Sequence, residues 1–483
     1  MEGYPIYGPN EEEIQGFHVH ALTEEQIQGV IDAFVAHAKW AKSVGFGMVT
    51  IHGGHGWLIC QFMSSVFNKR TDRWGGPVEN RVRLAREICD RIHREVPGLI
   101  VELRMSGSEI FNGYDIDEGI ELAKALDGYP DILHVSAGHA TFDEAFTVTT
   151  PSLFLEDGVK VKYAAAIKPY IKKSKVATVG SLSDPAMMGE IIASGKADIV
   201  ELARGLCADP DLPLKARTGN AREIDQCLRC SHCFSQVMRT GQFCCAINPE
   251  IGREREYAVV PLRVTHPQKV LVLGGGIAGM QAALTAAKRG HQVTLAEKSD
   301  RLGGILLCES RVPFKKHLHD YIQNQVRRVG EAGIEVLLGT ALTPEQAAAM
   351  EPDVIIAAIG AAPILPPIEG VDGKHVVGAI QAYENAEALQ GRILILGGGL
   401  VGTELGIYLK NMGKEVELVE MGPKLNCGDN TVHEMGIFAE MKRNGLAAHT
   451  STRALKIEET GVLCPGSAAL LPGGRLPGCR QYL

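Results

Sequence analysis

Five of the chain's twelve cysteines fall within residues 227 to 245, CLRCSHCFSQVMRTGQFCC. Cys227, Cys230 and Cys233 follow a C-x2-C-x2-C spacing, and Cys245 comes later, beside Cys244. Structural zinc generally uses two separated pairs of ligands, whereas three close thiolates and a distant fourth suit the corners of a cubane iron–sulfur cluster. The spacing therefore points to a [4Fe–4S] cluster on Cys227, Cys230, Cys233 and Cys245, with zinc and unliganded thiols as the alternatives. Clustered thiols also belong more naturally to a reducing compartment than to a secreted disulfide scaffold.

A second kind of chemistry is written twice. KVLVLGGGIAGMQAALTAAKRGHQVTLAEK (269 to 298) reads as strand, glycine turn, helix and strand, with Gly274, Gly276 and Gly279 in a G-x-G-x-x-G pattern and Glu297 ending the second strand. RILILGGGLVGTELGIYLKNMGKEVELVEM (392 to 421) repeats it with Gly397, Gly399, Gly402 and Glu420. The first glycine permits a tight turn, the second lets backbone N–H groups approach a pyrophosphate, and the third lets helix and strand pack closely. The acid accepts from ribose hydroxyls. Each copy predicts one dinucleotide. A carboxylate at the second ribose position repels a 2′-phosphate, which favours NADH over NADPH. The first copy is the better FAD candidate, because RLGGIL follows its acid and places Gly303 and Gly304 where the chain can pass close to a flavin.

The elements before the cysteines have a different rhythm. Short β-rich runs, GMVTIHGG (47 to 54), LIVELRMSG (99 to 107), ILHVSAG (132 to 138), KVATVGS (175 to 181) and ADIVELARG (197 to 205), alternate with helical segments, and TEEQIQGVIDAFVAHAKWAKSV precedes them. Alternating β and α predicts a parallel sheet with helical crossovers. Five strands are visible and a closed (β/α) barrel needs eight. With 483 residues, 45% of them hydrophobic and 22% charged, the chain can bury more than one core. A net charge of −8 with no basic run argues against nucleic acid or an anionic membrane surface. The start, MEGYPIYGPNEEEIQ, lacks the features of a signal peptide, and no long uncharged apolar stretch follows. A cytoplasmic protein with small-molecule partners is expected, its oligomeric state open.

The stretches IHGGHGWLICQFMS, NKRTDRWGGPVENR, VGSLSDP, ARGLCADPDLP and CLRC...CCAINP, followed by GGGIAGM, resemble the NADH:flavin oxidoreductases of the old yellow enzyme class that carry a cluster and a C-terminal dinucleotide region. That group includes 2,4-dienoyl-CoA reductases, 2-enoate reductases, bile-acid 4-ene enzymes and trimethylamine dehydrogenase. The resemblance implies FMN in the barrel, with FAD (or its ADP part) and NAD(H) in the C-terminal half. It makes Arg104 the arginine facing the flavin pyrimidine, and Gly180, Ser181, Arg204 and Gly205 the phosphate loops. His52 and His55 match the pair that hydrogen-bonds a substrate carbonyl, so that hydride adds to the β-carbon of a conjugated alkene. Where many relatives have a proton-donating tyrosine this chain has Trp57, whose indole N–H is no useful acid. His139 lies near a second family acid, at a looser spacing.

The expected architecture is α/β: a partial TIM barrel over 1–222, a cluster segment and linker over 223–262, Rossmann-like FAD and NAD(H) regions over 263–388 and 389–455, and an irregular tail over 456–483. The family barrel has three further strands before residue 23, and relatives complete the FAD domain where this tail stands. A chain truncated at both ends is therefore expected, with weak or no turnover. The leading expectation is NADH-driven reduction of an α,β-unsaturated carbonyl compound. The alternatives are an amine dehydrogenase relative that passes electrons to a partner protein, and an inactive fragment.

Overall fold

In VELRMS (101–106) and LHVS (133–136) apolar and polar residues alternate strictly, the period of strands whose two faces meet different surroundings. A computed structural model of the chain describes residues 5–14, 16–141, 143–260, 263–459, 461–464, 475–477 and 481–482. They divide into two compact units, Met1–Leu206 and Cys207–Leu483.

The first unit begins with a small sheet that the sequence reading did not foresee, β1 (Ile6–Gly8), β2 (Glu12–Ile14) and β3 (Phe17–Ala21), in the order β1-β3-β2. The helix Glu24–Ser43 follows, started by a capping box between Thr23 and Gln26 and burying Ile27, Ile31, Val35 and Ala38 along one stripe. Then come β4 (Met48–Gly53), β5 (Ile100–Ser106), β6 (Ile132–Ser136), β7 (Lys175–Val179) and β8 (Ile199–Glu201), all parallel and in sequential order. Each falls within one of the five β-rich runs. Among the described residues β4 and β8 are paired on one side only, so the sheet is open.

Register separates the two faces. Ile51, Val101, Leu103, Met105, Leu133, Val135 and Val176 pack with Ile88, Leu122, Leu126 and Ile167 of the crossover helices, each at most 1% exposed. On the other face His52, Arg104 and His134 stand side by side across three strands, with Thr50 beside Glu102 and Ser106 beside Ser136. One face builds the core, and the other carries the chemistry.

The second unit repeats one design. β9 (Lys269–Leu273), β10 (Gln292–Ala296), β11 (Glu335–Leu337) and β12 (Val354–Ala357) form a parallel sheet in the order β11-β10-β9-β12. β13 (Arg392–Leu396), β14 (Glu415–Val419) and β15 (Ala447–His449) form another, in which the C-terminal β19 (Gln481–Tyr482) takes the place beside β13 that β12 takes beside β9. Two results depart from expectation. The span 456–483 is not irregular throughout: β16 (Lys456–Glu458), β17 (Gly461–Leu463) and β18 (Arg475–Pro477) form an antiparallel sheet. Buried Ile457, Val462 and Cys464 hold its start, a short pattern hidden by the surrounding glycines and prolines. Residues 465–474 and 478–480 of that span lie outside the described residues. Residues 207–222, expected with the barrel half, cluster with the second unit. Asp209 binds Lys215 and the Asp225 amide there, and the Cys207 carbonyl accepts from Asn248.

No helix among the described residues is long and apolar enough to cross a membrane.

Candidate functional site

β4 ends in the HGGHG turn. His52 is its last side chain on the polar face, and His55 follows with φ at +61°, a left-handed conformation that costs a histidine energy and is tolerated where surroundings enforce it. Here the His55 amide donates to Ser106 Oγ at 2.9 Å, and its carbonyl accepts from the Ala140 amide at 3.0 Å. The imidazoles of His52 and His55 lie edge to face with centroids 5.0 Å apart. Burial, with Arg104 and His134 nearby, pushes the pKa of His52 down to about 4. Burial, then Lys160 and Arg104, pushes that of His55 further down. Both rings are neutral at physiological pH, and a neutral imidazole has one N–H to offer.

Behind the pair, Arg104 Nη2 and His55 Nε2 both meet Ser136 Oγ, at 3.3 and 2.8 Å. Arg104 Nε and Ser181 Oγ are buried with no hydrogen-bond partner among the described residues. Ser181 has φ at +53° and Gly180 at +119°, and Gly205 lies against the Leu182 carbonyl, so the two expected phosphate loops adjoin. Arg204, at the start of the helix Arg204–Ala208, donates to the Pro151 carbonyl at 2.6 Å. Unsatisfied buried donors beside a turn in left-handed conformation fit an anionic ligand such as a flavin phosphate. Trp57 is exposed, at the N-cap of the helix Leu58–Met63. His139 is buried behind Gly56. Its Nδ1 accepts from the Thr141 amide, which leaves the ring proton on Nε2, 3.9 Å from Glu109. Burial raises the pKa of Glu109, which also binds Ser64 and Cys60.

Several polar residues here escaped the sequence reading. Glu102 Oε1 and Glu201 Oε2 lie 3.0 and 2.8 Å from His134 Nδ1, and Lys160 reaches Ser136 Oγ. The alternation in VELRMS and LHVS carried the signal for Glu102, His134 and Ser136, since it puts them on the face of Arg104. Lys160 sits in the turn before the helix Val161–Ile167, with no such mark.

In the second unit the glycines do what their spacing requires. Gly274 and Gly397 have φ at +105° and +121°. A β-carbon on Gly279 would collide with the Gly274 carbonyl, and one on Gly402 with that of Gly397. Gly276 and Gly399 cap the helices Ile277–Lys288 and Leu400–Asn411 in the same extended conformation, leaving first-turn N–H groups for a pyrophosphate. Glu297 accepts from the Gly275 and Ser299 amides, and Glu420 from those of Gly398 and Gly422. Burial opposes ionisation of Glu297, but the bonds from Ser299 and Gly275 prevail and lower its pKa. Each carboxylate keeps lone pairs for a ribose. Gly303 is bridged to Gly276, and Gly304 follows it with φ at +65°.

In the cysteine segment Arg229 and Ser231 have φ at +55° and +57°, so the chain winds tightly around Cys230. The Arg229 amide donates to Cys227 Sγ at 3.4 Å, and backbone N–H groups of Ile247 and Asn248 reach the Cys245 thiol. Cys227 and Cys245 pack against a small apolar cluster of Ala208, Ile247 and Tyr321. Cys233 opens the first turn of the helix His232–Thr240. Burial raises the pKa of Cys245, while the amide bonds to its sulfur work the other way and favour the thiolate that a metal centre needs.

A polar sheet face with a histidine pair, joined in one chain to two dinucleotide folds, defines a flavin- and pyridine-nucleotide-dependent oxidoreductase. Residues 4–223 match the NADH:flavin oxidoreductase / NADH oxidase family, and residues 268–474 match the pyridine nucleotide-disulphide oxidoreductases. The chain is 36% identical over 467 residues to the NADH oxidase of Thermoanaerobacter brockii, covering 93% of this chain and 70% of that protein. It is 34% identical over 428 residues to the cinnamate reductase of Clostridium sporogenes, covering 84% of this chain and 63% of that protein. A solved structure of 2-naphthoyl-CoA reductase in complex with 2-naphthoyl-CoA superposes with a TM-score of 0.89 at 27% identity, covering 99% of this chain and 72% of that one. The chain belongs to the NADH:flavin oxidoreductase / NADH oxidase family.

Proposed function

We propose that this oxidoreductase uses NADH to reduce the carbon–carbon double bond of an α,β-unsaturated carbonyl compound, with FMN, FAD and a [4Fe–4S] cluster as resident cofactors. The neutral His52–His55 pair on the polar sheet face carries this reading. When bound, these cofactors supply hydride and electron transfer between NADH and the substrate.

The chain's own residues supply the rest. His52 and His55 each donate one N–H to the substrate carbonyl oxygen, and these bonds strengthen as negative charge collects there. Arg104 places a fixed cation on the same face to favour an anionic flavin. Ser181, Gly180, Arg204 and Gly205 hold its phosphate. His139 keeps a proton at Nε2 with Glu109 behind it, and we assign it as the acid because Trp57 has none to give. Gly274, Gly276, Gly279, Gly304 and Glu297 cradle FAD, and Gly397, Gly399, Gly402 and Glu420 cradle NADH. Cys227, Cys230, Cys233 and Cys245 hold the cluster. A cinnamate reductase and a naphthoyl-CoA reductase among the relatives support a conjugated acid or thioester substrate.

The test is anaerobic turnover of NADH with cinnamate, an enone and an aromatic acyl-CoA, set against amine-dependent dye reduction. Consumption of NADH matched by saturated product supports the proposal. Dye reduction with amines alone assigns the chain to the amine dehydrogenases.

A further inference from the structure

Lys160 is only 1% exposed, and the proposed function gives it no task. It stands just before the helix Val161–Ile167 and runs past Gly180, where a β-carbon would press on its Cδ, Cγ and Cε at 3.0 to 3.3 Å. The absence of a side chain at 180 thus leaves room for the lysine stem. Its Nζ lies 2.8 Å from the Thr149 carbonyl and 3.1 Å from Ser136 Oγ. Ser136 Oγ is the atom that also meets His55 Nε2 and Arg104 Nη2.

Hydrogen-bond counting at that oxygen has one solution. A hydroxyl has two lone pairs and one hydrogen. Arg104 can only donate, so it fills one lone pair. The Thr149 carbonyl can only accept, so it takes one N–H of Lys160, and because the ammonium has no lone pair to receive the hydroxyl hydrogen, a further N–H of Lys160 fills the second lone pair of Ser136. The hydroxyl hydrogen is left for His55 Nε2, which must then be an acceptor. The ring proton of His55 stands on Nδ1. The positive charges of Arg104 and Lys160 beside the ring also oppose a second proton.

We infer that Lys160 is a positioning residue that acts through Ser136 to hold His55 in its neutral Nδ1–H tautomer. The inference builds on the assignment of His55 to the substrate oxygen, since it fixes which nitrogen donates. With Lys160 gone, one lone pair of Ser136 is open, its hydroxyl can turn, and His55 can place its proton on either nitrogen. A share of the enzyme then presents a bare lone pair to the substrate.

The tautomer is measured without turnover. Protein labelled with 15N at histidine only, studied by long-range 1H–15N correlation at neutral pH with His55→Gln to identify the signals, should show His55 as Nδ1–H. Lys160→Met and Ser136→Ala should both shift it to a mixture or to Nε2–H, and Lys160→Met should lower kcat for alkene reduction by about tenfold with the KM for NADH unchanged. If Lys160→Met does not fold, Ser136→Ala, which removes a single oxygen, gives the same reading. An Nε2–H signal in the parent protein, or an Nδ1–H signal unchanged in the variants, overturns the inference, and so does a Lys160→Met protein whose one defect is lost flavin. A parent protein that shows the expected tautomers but reduces no alkene leaves this inference standing and defeats the proposed function.

Discussion

Two lysines, the buried Lys160 in the first unit and the largely buried Lys315 in the second, show how opposite surroundings give one side chain opposite tasks. Lys315 lies 2.7 Å from Glu309 and 2.6 Å from Glu404, and Glu404 also accepts from His433 at 2.8 Å. Burial works against its charge, but the two carboxylates outweigh burial and raise its pKa. Lys160 meets a hydroxyl and a carbonyl, while Arg104 and Arg204 add to the effect of burial, and its pKa falls. The first lysine ties the helix Leu400–Asn411 to the segment before the helix Lys316–Glu331. The second serves a site. A buried charge with full counter-charges is architecture; one without them is held in place for something else.

The contrast breaks if both lysines prove equally structural. Lys315→Met leaves the buried Glu404 and the part-buried Glu309 short of a cation, and should cost about 3–5 kcal/mol in urea unfolding. Lys160→Met leaves no orphaned charge and should cost clearly less while lowering activity. Equal losses of stability would remove the distinction.

Next in size are the histidines. His52→Ala and His55→Ala should each lower kcat for alkene reduction by about 100-fold, as loss of one donor to a developing oxyanion does elsewhere, while NADH-dependent reduction of an artificial dye stays intact. Loss of both activities together would mean that the pair supports flavin binding rather than substrate.

His52 also predicts a pH dependence of stability. Its pKa is near 4 when folded and 6.5 when unfolded, so between these values the unfolded chain binds more protons. Stability from this residue is complete above about pH 6.5 and is lost as the pH falls toward about 4. His52→Gln should flatten that part of the denaturation profile, and an unchanged slope would contradict a part-buried neutral ring.

Smaller effects belong to the second unit. Glu420→Arg should move nicotinamide preference from NADH toward NADPH by about tenfold, because it replaces repulsion of the 2′-phosphate with attraction. Smallest of all, Cys244→Ser should leave iron content unchanged, whereas Cys245→Ser should remove iron.

The two units also differ in how much of them could be read from sequence. The dinucleotide folds are made by backbone: Gly279 and Gly402 touch carbonyl oxygens that forbid any other residue, so the constraint is written in the letters. The five strands of the first unit were legible from five β-rich runs for a similar reason, since period and length are local. Its site was legible only in part. His52 and His55 sit in one short turn, but Ser136 and Lys160 reach them from β6 and from before another helix, and no local pattern marks a partner that far away. Glu102 and His134 were within reach of the alternation argument. The strands at 456–463 escaped because three-residue strands are too short for a period to emerge.

We propose that a neutral histidine pair presents two N–H donors to the oxygen of a conjugated carbonyl. It is tested most directly by anaerobic, NADH-driven conversion of cinnamate or a cyclic enone, with saturated product quantified for the parent chain, His52→Ala and His55→Ala. The parent chain should form one saturated product per NADH, with both variants slowed by about 100-fold. Turnover that persists in both variants, or a parent chain that oxidises NADH without forming saturated product, would contradict it.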